Sequence, residues 1–144
     1  MAGRYRSLLH GDADRLRAHT KPGVWSPLEY ACHYRDVLRV QLERVRRAVR
    51  EEKPTFAPMR RDERVTEERY NEQEPEHVAF DIAAAAGALA SALDHLSPKS
   101  WEREGLYNYP TQQLRSIEWI ARNTIHEGVH HILDIERLVG LRRA

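Results

Sequence analysis

Apolar side chains recur at the spacing of an α-helix in four segments of this 144-residue sequence, and this periodicity constrains the fold more than any other feature. Clusters that contain proline or glycine separate the segments, which predict helices over residues 2–19, 26–52, 74–96 and 111–139. Sustained alternation of apolar and polar residues, which is typical of strands, is almost absent. Two short connections and one long one, residues 53–73, therefore join four helices, and the predicted fold is an all-α four-helix bundle.

The second predicted helix has the most complete start signal. Ser26 is a good N-cap, Pro27 suits the first helical position, and Glu29 completes a capping box three residues after the cap. In the fourth helix, Thr111 is the predicted N-cap.

Length and cysteine content bound the class of protein. A chain of 144 residues has a one-domain length, so residues 1–144 are predicted as a single domain. Its one cysteine, Cys32, permits no intrachain disulfide, and neither a secretory signal nor an apolar run of the ~20 residues that a membrane span needs is visible. These features predict a soluble cytoplasmic protein without a membrane partner.

Charge argues against nucleic acid as a partner. The 23 basic and 22 acidic residues give a formal net charge of +1, whereas affinity for nucleic acid depends on neutralising phosphates. One basic cluster in the second helix has glutamates interleaved with it and is interpreted as a solvated helix face. It comprises Arg44, Arg46, Arg47 and Arg50.

The densest set of metal-ligating side chains lies in the last predicted helix, where His126/His130 and Glu127/His131 form two competing pairs. Either i, i+4 spacing places both side chains of a pair on one helix face. The apolar residues between positions 117 and 135 form one broad arc, and Glu127, His131 and Asp134 lie along its flank. This pattern favours Glu127 and His131 as ligands with Asp134 behind them, and it leaves the other pair open.

A further ligand is available from the second helix. His33 lies in an apolar arc with Tyr30 and Val37, where a lone histidine is ordinarily a hydrogen-bonded core residue. The acid-plus-histidine face on another helix, and Asp36 one turn further on to orient the imidazole, favour a metal ligand instead. Two histidines and one carboxylate suit zinc and tolerate nickel, iron or manganese, and three protein ligands leave one coordination position open.

Residues beside this set are interpreted mainly as packing residues. Cys32 is about 100° from His33 around the helix, so it is predicted to pack in the core rather than to share the metal. Three aromatic residues could line a substrate pocket, although such residues more often pack: Tyr107, Tyr109 and Trp119.

Taken in order, Trp25-Ser26, His33-x-x-Asp36, an acid or histidine four residues before His131, and His131-x-x-Asp134 resemble the DinB-like superfamily. The resemblance spans nearly the whole chain and implies a four-helix bundle with a three-ligand metal site. The family's ligand positions fall on His33, Glu127 and His131. The resemblance also implies a metal-dependent S-transferase that activates mycothiol or bacillithiol for transfer to a small electrophile. Members are often dimers, so a homodimer is the implied assembly.

Two other interpretations remain open at this point. One is a non-enzymatic metal-binding bundle of stress response that acts through oligomer or partner contacts. A fourth protein ligand would favour it, because structural zinc sites are normally four-coordinate and closed. The other is a plain helical bundle without a metal.

Overall fold

Three long helices and one shorter helix at the N-terminus form the body of the molecule in the computed structural model, which describes residues 1–108 and 110–140. Six α-helices are found in these residues: α1 Ala2–Leu9, α2 Ala13–Arg17, α3 Pro27–Arg50, α4 Arg61–Glu67, α5 Pro75–Asp94 and α6 Ile117–Leu138. Helix α3 packs against α5 and α6, and α1 packs between α5 and α6 on the other side. The predicted four-helix bundle is confirmed.

Buried apolar side chains from the long helices α3, α5 and α6 and from the shorter α1 fill the centre of the bundle. Among the most completely buried are Tyr5, Leu9, Leu28, Ile82, Ile120 and Ile135. Such a core excludes water from the inner faces of α3 and α6, which are the two helices with the candidate ligands.

A small three-stranded sheet covers one end of the bundle, and no pattern in the sequence indicated it. Strand β1 (Thr55–Phe56) pairs in parallel with β2 (Glu104–Tyr107), which pairs antiparallel with β3 (Gln113–Ser116). The Phe56 ring fits directly over Gly105, where an added Cβ would lie 2.2 Å from it. Strands of two to four residues are too short to show sustained alternation, so the all-α prediction did not include these segments.

The boundaries of two predicted helices are corrected by local hydrogen bonding. The first predicted helix divides into α1 and α2, because the Asp12 side chain accepts from the backbone N–H of Asp14 and caps a new helix. The last helix is capped by Ser116 rather than Thr111, since the residues before it are paired as β3. The predicted start of α3 is confirmed, with both hydrogen bonds of the Ser26 and Glu29 capping box present.

The long connection between α3 and α5 is ordered by contacts with α3. It contains β1, α4 and a 3₁₀ turn at Tyr70–Glu72. The Tyr70 hydroxyl donates to Asp36 Oδ2 at 2.6 Å, and the Ser26 hydroxyl donates to Asn71 Oδ1 at 2.7 Å. These bonds hold the connection, and with it α4, beside the N-terminal half of α3.

Helix α5 has a largely exposed outer face of small residues, and Phe80 on it is 73% exposed. Within the described residues it is the one helix long and apolar enough to cross a membrane, by length and composition only, and 22% of its apolar stretch is buried. A single helix of this kind is weak evidence for a membrane span. The absence of a membrane partner stays a prediction.

Candidate metal centre and adjoining cavity

Three side chains from α3 and α6 converge at the interface between these helices. His33 is in the second turn of α3, and Glu127 and His131 are one turn apart on α6. The ring centroids of His33 and His131 are 5.0 Å apart, and the two ring planes meet at 81°. Glu127 Oε2 lies 3.4 Å from His131 Nε2. One ligating atom from each of the three residues lies within 4.8 Å of the others.

Two ring nitrogens in this group are buried without a hydrogen bond. His33 Nδ1 and His131 Nε2 make no hydrogen bond in the described part of the chain, although both residues are more than 90% buried and Glu127 Oε2 is 3.4 Å from His131 Nε2. A buried polar atom left unpaired costs about 1–3 kcal/mol, so each such atom calls for a physical explanation. Two imidazoles and a carboxylate are a donor set that suits a divalent cation, and a bound cation would satisfy the unpaired nitrogens.

The protonation states of the group also suit a cation. Burial, reinforced by the neighbouring His131, lowers the pKa of His33 to about 4. The His131 imidazole in turn holds the pKa of Glu127 below its ordinary value, against the opposing effect of partial burial. At neutral pH, His33 is therefore uncharged with a lone pair available, and Glu127 is negatively charged.

Of the two carboxylates predicted to orient the ligands, Asp134 contacts one and Asp36 does not. Asp134 Oδ2 is 3.3 Å from His131 Nδ1 and 3.1 Å from His130 Nδ1. Asp36 instead accepts from Arg35 Nε at 2.9 Å and from the Tyr70 hydroxyl. The predicted contact between Asp36 and the His33 imidazole is thus corrected, because Asp36 is occupied in joining α3 to the connection that follows it.

The alternative pair on α6 points away from the bundle. His126 and His130 are both exposed, and their ring centroids are 6.2 Å apart. The structure brings Glu127 and His131, rather than His126 and His130, next to His33. His130 also belongs to a second group of neighbouring ligand types with His131 and Asp134, which extends from the buried His131 to the exposed face of α6.

Two aromatic rings pack against the histidines of this group, and the Arg61 guanidinium of α4 lies over one of them, the Trp25 ring. The ring centroid of Trp25 lies 5.1 Å from that of His33, and the ring centroid of Tyr30 lies 5.4 Å from that of His131. Their contact with the imidazoles keeps water from this part of the group. In the sequence, Trp25 was informative only as part of the Trp25-Ser26 motif, because nothing local indicates its contact with the His33 ring.

A cavity of about 550 Å³ opens beside His33 and Glu127 and extends along α3 toward the sheet, with residues 58–63 on its other side. This volume is in the range of small-molecule sites, which is about 300–1,000 Å³. Tyr107 lines the cavity, and Trp119 packs against the Tyr107 ring. Tyr109, the third aromatic candidate, lies outside the described residues.

Arg44 also lines the cavity and is half-buried, which corrects its interpretation as part of a solvated helix face. The interleaved glutamates hid this in the sequence, because a periodicity argument cannot show that the sheet covers one side of α3.

Comparison with known proteins points to one family. The sequence model of the DinB superfamily matches residues 4–135. YfiT from Bacillus subtilis, described as a probable metal-dependent hydrolase with an unusual four-helix bundle topology, is 15% identical with a TM-score of 0.82, over 96% of this chain and 81% of YfiT. The mycothiol-dependent maleylpyruvate isomerase is 16% identical with a TM-score of 0.69, over 96% of this chain and 61% of the isomerase.

The two structural matches are distant from this chain in sequence. At such low identities, the two structural matches establish the fold alone, and the chain spans less than two thirds of the isomerase. No curated protein matches the sequence significantly.

Proposed function

Because the chain belongs to the DinB superfamily, we propose that it is a metal-dependent S-transferase, which activates a low-molecular-weight thiol for transfer to a small electrophile. His33, Glu127 and His131 would hold one divalent cation, with zinc as the preferred metal and nickel, iron or manganese as alternatives. One observation carries the proposal: a charged carboxylate and two buried imidazoles with unpaired nitrogens converge beside a cavity of ligand size.

When bound, a divalent cation with an open coordination position would favour the thiolate form of a thiol such as mycothiol or bacillithiol. Asp134 Oδ2 lies 3.3 Å from His131 Nδ1, and a proton held there would leave the Nε2 lone pair free for a cation shared with Glu127. Trp25 and Tyr30 exclude water from the rings of the two histidines. In the transfer, sulfur bonds to the electrophilic carbon, the thiol proton passes to solvent, and any leaving group departs with its electron pair.

The protein's own thiol is poorly suited to be the nucleophile. Cys32 is fully buried, and burial raises the pKa of its thiol to about 12. Its Sγ faces the Tyr70 carbonyl and Gln73 Oε1, each at 3.7 Å, and not the metal-ligand group. A buried, protonated thiol is inert, so the reacting sulfur must come from a separate molecule.

A non-enzymatic bundle with a structural metal is the alternative. Such a site is normally closed by a fourth protein ligand. Within residues 1–108 and 110–140, the group around His33 has three members, and two of them, His33 and Glu127, line the cavity. An incomplete ligand set that opens on a cavity favours the enzyme.

The decisive assay follows consumption of mycothiol, bacillithiol and glutathione in parallel, with 1-chloro-2,4-dinitrobenzene as the electrophile. Metal-loaded protein should consume at least one thiol, and chelation should remove the activity until metal is restored. Cys32→Ala is the control and should retain the activity. If metal-loaded protein consumes none of the thiols, the transferase proposal is wrong.

A further inference from the structure

Arg44 is a half-buried cation in the cavity wall, and no carboxylate pairs with it in the part of the chain that the structure describes. Its Nη2 donates to the Ala57 carbonyl at 2.8 Å, and its Nη1 donates to Gln41 Oε1 at 3.3 Å. The guanidinium also lies over the Tyr107 ring, 4.6 Å from its centroid. These contacts fix the guanidinium in place and leave several of its N–H donors unused.

The other arginines of the cavity wall are neutralised by neighbouring carboxylates. Arg60 pairs with Glu67 at 2.8 Å, and Arg61 lies 3.7 Å from Asp62. Arg44 is therefore the arginine of this wall that has no carboxylate partner among the described residues. A guanidinium that lacks a carboxylate partner within a cavity is well suited to bind one from a ligand.

Amide donors surround the same part of the cavity. Gln41 is buried, and its Oε1 accepts from both Arg44 and the Tyr107 hydroxyl. Its amide nitrogen consequently faces the other way and has no acceptor among the described residues. Asn123, four residues before Glu127 on α6, also lines the cavity and makes no side-chain hydrogen bond within those residues. One cation and two unused amide groups form a donor set for an oxyanion.

We propose that Arg44, Gln41 and Asn123 form a carboxylate-binding subsite, and that one of the two reacting molecules has a carboxylate remote from its reacting atom. The inference rests on the proposed function, because that function places the reacting atoms at the His33 end of the cavity. Arg44 follows His33 by eleven residues in the same helix, a rise of about 16 Å, and its side chain leans back toward His33. The ligand is thus a small acid whose carboxylate lies less than about 16 Å from its reacting atom.

Binding of a simple acid tests the subsite without any need for turnover. Protein as purified would be titrated calorimetrically with 4-phenylbutyrate and with 4-phenylbutyramide, which is its uncharged analogue. The acid should bind about tenfold or more tightly than the amide, as expected for hydrogen bonds to a charged group. Equal affinities in the wild-type protein would overturn the proposal.

Variants locate the preference for the acid. Arg44→Gln should abolish it, whereas Arg46→Gln, an exposed arginine of the same helix, should leave it unchanged. Arg44→Lys retains the charge without the planar guanidinium and should keep part of the preference for the acid. This variant replaces Arg44→Gln in the test if Arg44→Gln does not fold. A preference that survives in folded Arg44→Gln, or that is lost in Arg46→Gln alone, would place the anion elsewhere and refute the subsite.

Turnover measurements identify which molecule provides the carboxylate. The electrophiles are 4-chloro-3-nitrobenzoate and its amide, and the thiols are glutathione and its diethyl ester. An Arg44-dependent kcat/KM preference for the acid electrophile assigns the carboxylate to the electrophile, and one for free glutathione assigns it to the thiol. Active protein with neither preference contradicts the subsite. If the protein shows no turnover, the proposed function fails, while the calorimetric result still decides the subsite.

Discussion

His33 lies in an environment that disfavours its charged form and also leaves the neutral ring incompletely bonded. It is buried, its Nδ1 has no hydrogen-bond partner in the described residues, and the neighbouring histidine, His131, further disfavours its charged form. Asp36, which could have stabilised a charged ring, bonds to Arg35 and Tyr70 instead. A residue so arranged destabilises the metal-free fold, and a bound cation is the ligand that would relieve it.

The stability of the metal-free protein should depend on pH through His33. Its pKa falls from the ordinary 6.5 to about 4 in the folded state, mainly because of burial. Between these values the unfolded chain binds a proton that the folded chain does not, so stability falls as pH falls through this interval. The shift corresponds to about 3 kcal/mol of unfolding free energy lost by pH 4.

Urea denaturation in the presence of a chelator, at pH 7 and at pH 4.5, measures this effect. His33→Gln keeps a similar volume without a titrating group, so it should lose less stability between the two pH values than the wild type. An identical loss in both proteins would show that His33 does not titrate as its burial requires.

At the scale of elements, the close approach of α3 to α6 depends on Gly128. A glycine within a helix costs about 0.5–1 kcal/mol relative to alanine, so its presence between the candidate ligands requires a reason. An added Cβ would lie 2.4 Å from the Tyr34 hydroxyl, and Tyr34 is buried and stacked on Tyr5. The Tyr5 hydroxyl also donates to the Gly128 carbonyl at 2.9 Å. The glycine admits these tyrosines and so brings the faces of His33 and His131 together.

Gly128→Ala should therefore destabilise the protein, whereas Gly87→Ala should not. Overpacking a core costs about 1–3 kcal/mol, which exceeds the gain in helix propensity at position 128. Gly87 is a glycine of α5 with open space around its added Cβ, so the same substitution there should stabilise by about 0.5–1 kcal/mol. Urea denaturation of both variants measures whether each substitution lowers or raises the free energy of unfolding. Stabilisation of Gly128→Ala would contradict the packing account.

At the scale of the whole molecule, the features that helical periodicity and capping residues determine could be predicted from the sequence. The four-helix bundle and the capping box that begins α3 are confirmed. The grouping of Glu127 and His131 on the side of α6 facing His33 followed from the same periodicity, and the structure has these three residues together. Their role as metal ligands stays a prediction.

The sequence could not predict features that depend on contacts between distant segments. Strands β1 to β3 are two to four residues long and are stabilised by their pairing with one another. Because β3 occupies residues 113–116, α6 is capped by Ser116 and not by Thr111 as predicted. Asp36 was expected beside His33, but the long connection folds back and Tyr70 takes its carboxylate. Arg44 looked like a surface residue because nothing local indicates that Phe56 and Tyr107 cover it.

Metal content of matched histidine variants, measured by plasma mass spectrometry, tests the central claim most directly. The wild type should contain about one divalent ion per chain, because one group of ligands surrounds His33. His131→Ala and His33→Ala should lose the metal, whereas His130→Ala, which removes the exposed neighbour of His131, should retain it. Full loading of folded His131→Ala, or loss of metal only in His130→Ala, would contradict a cation held between α3 and α6.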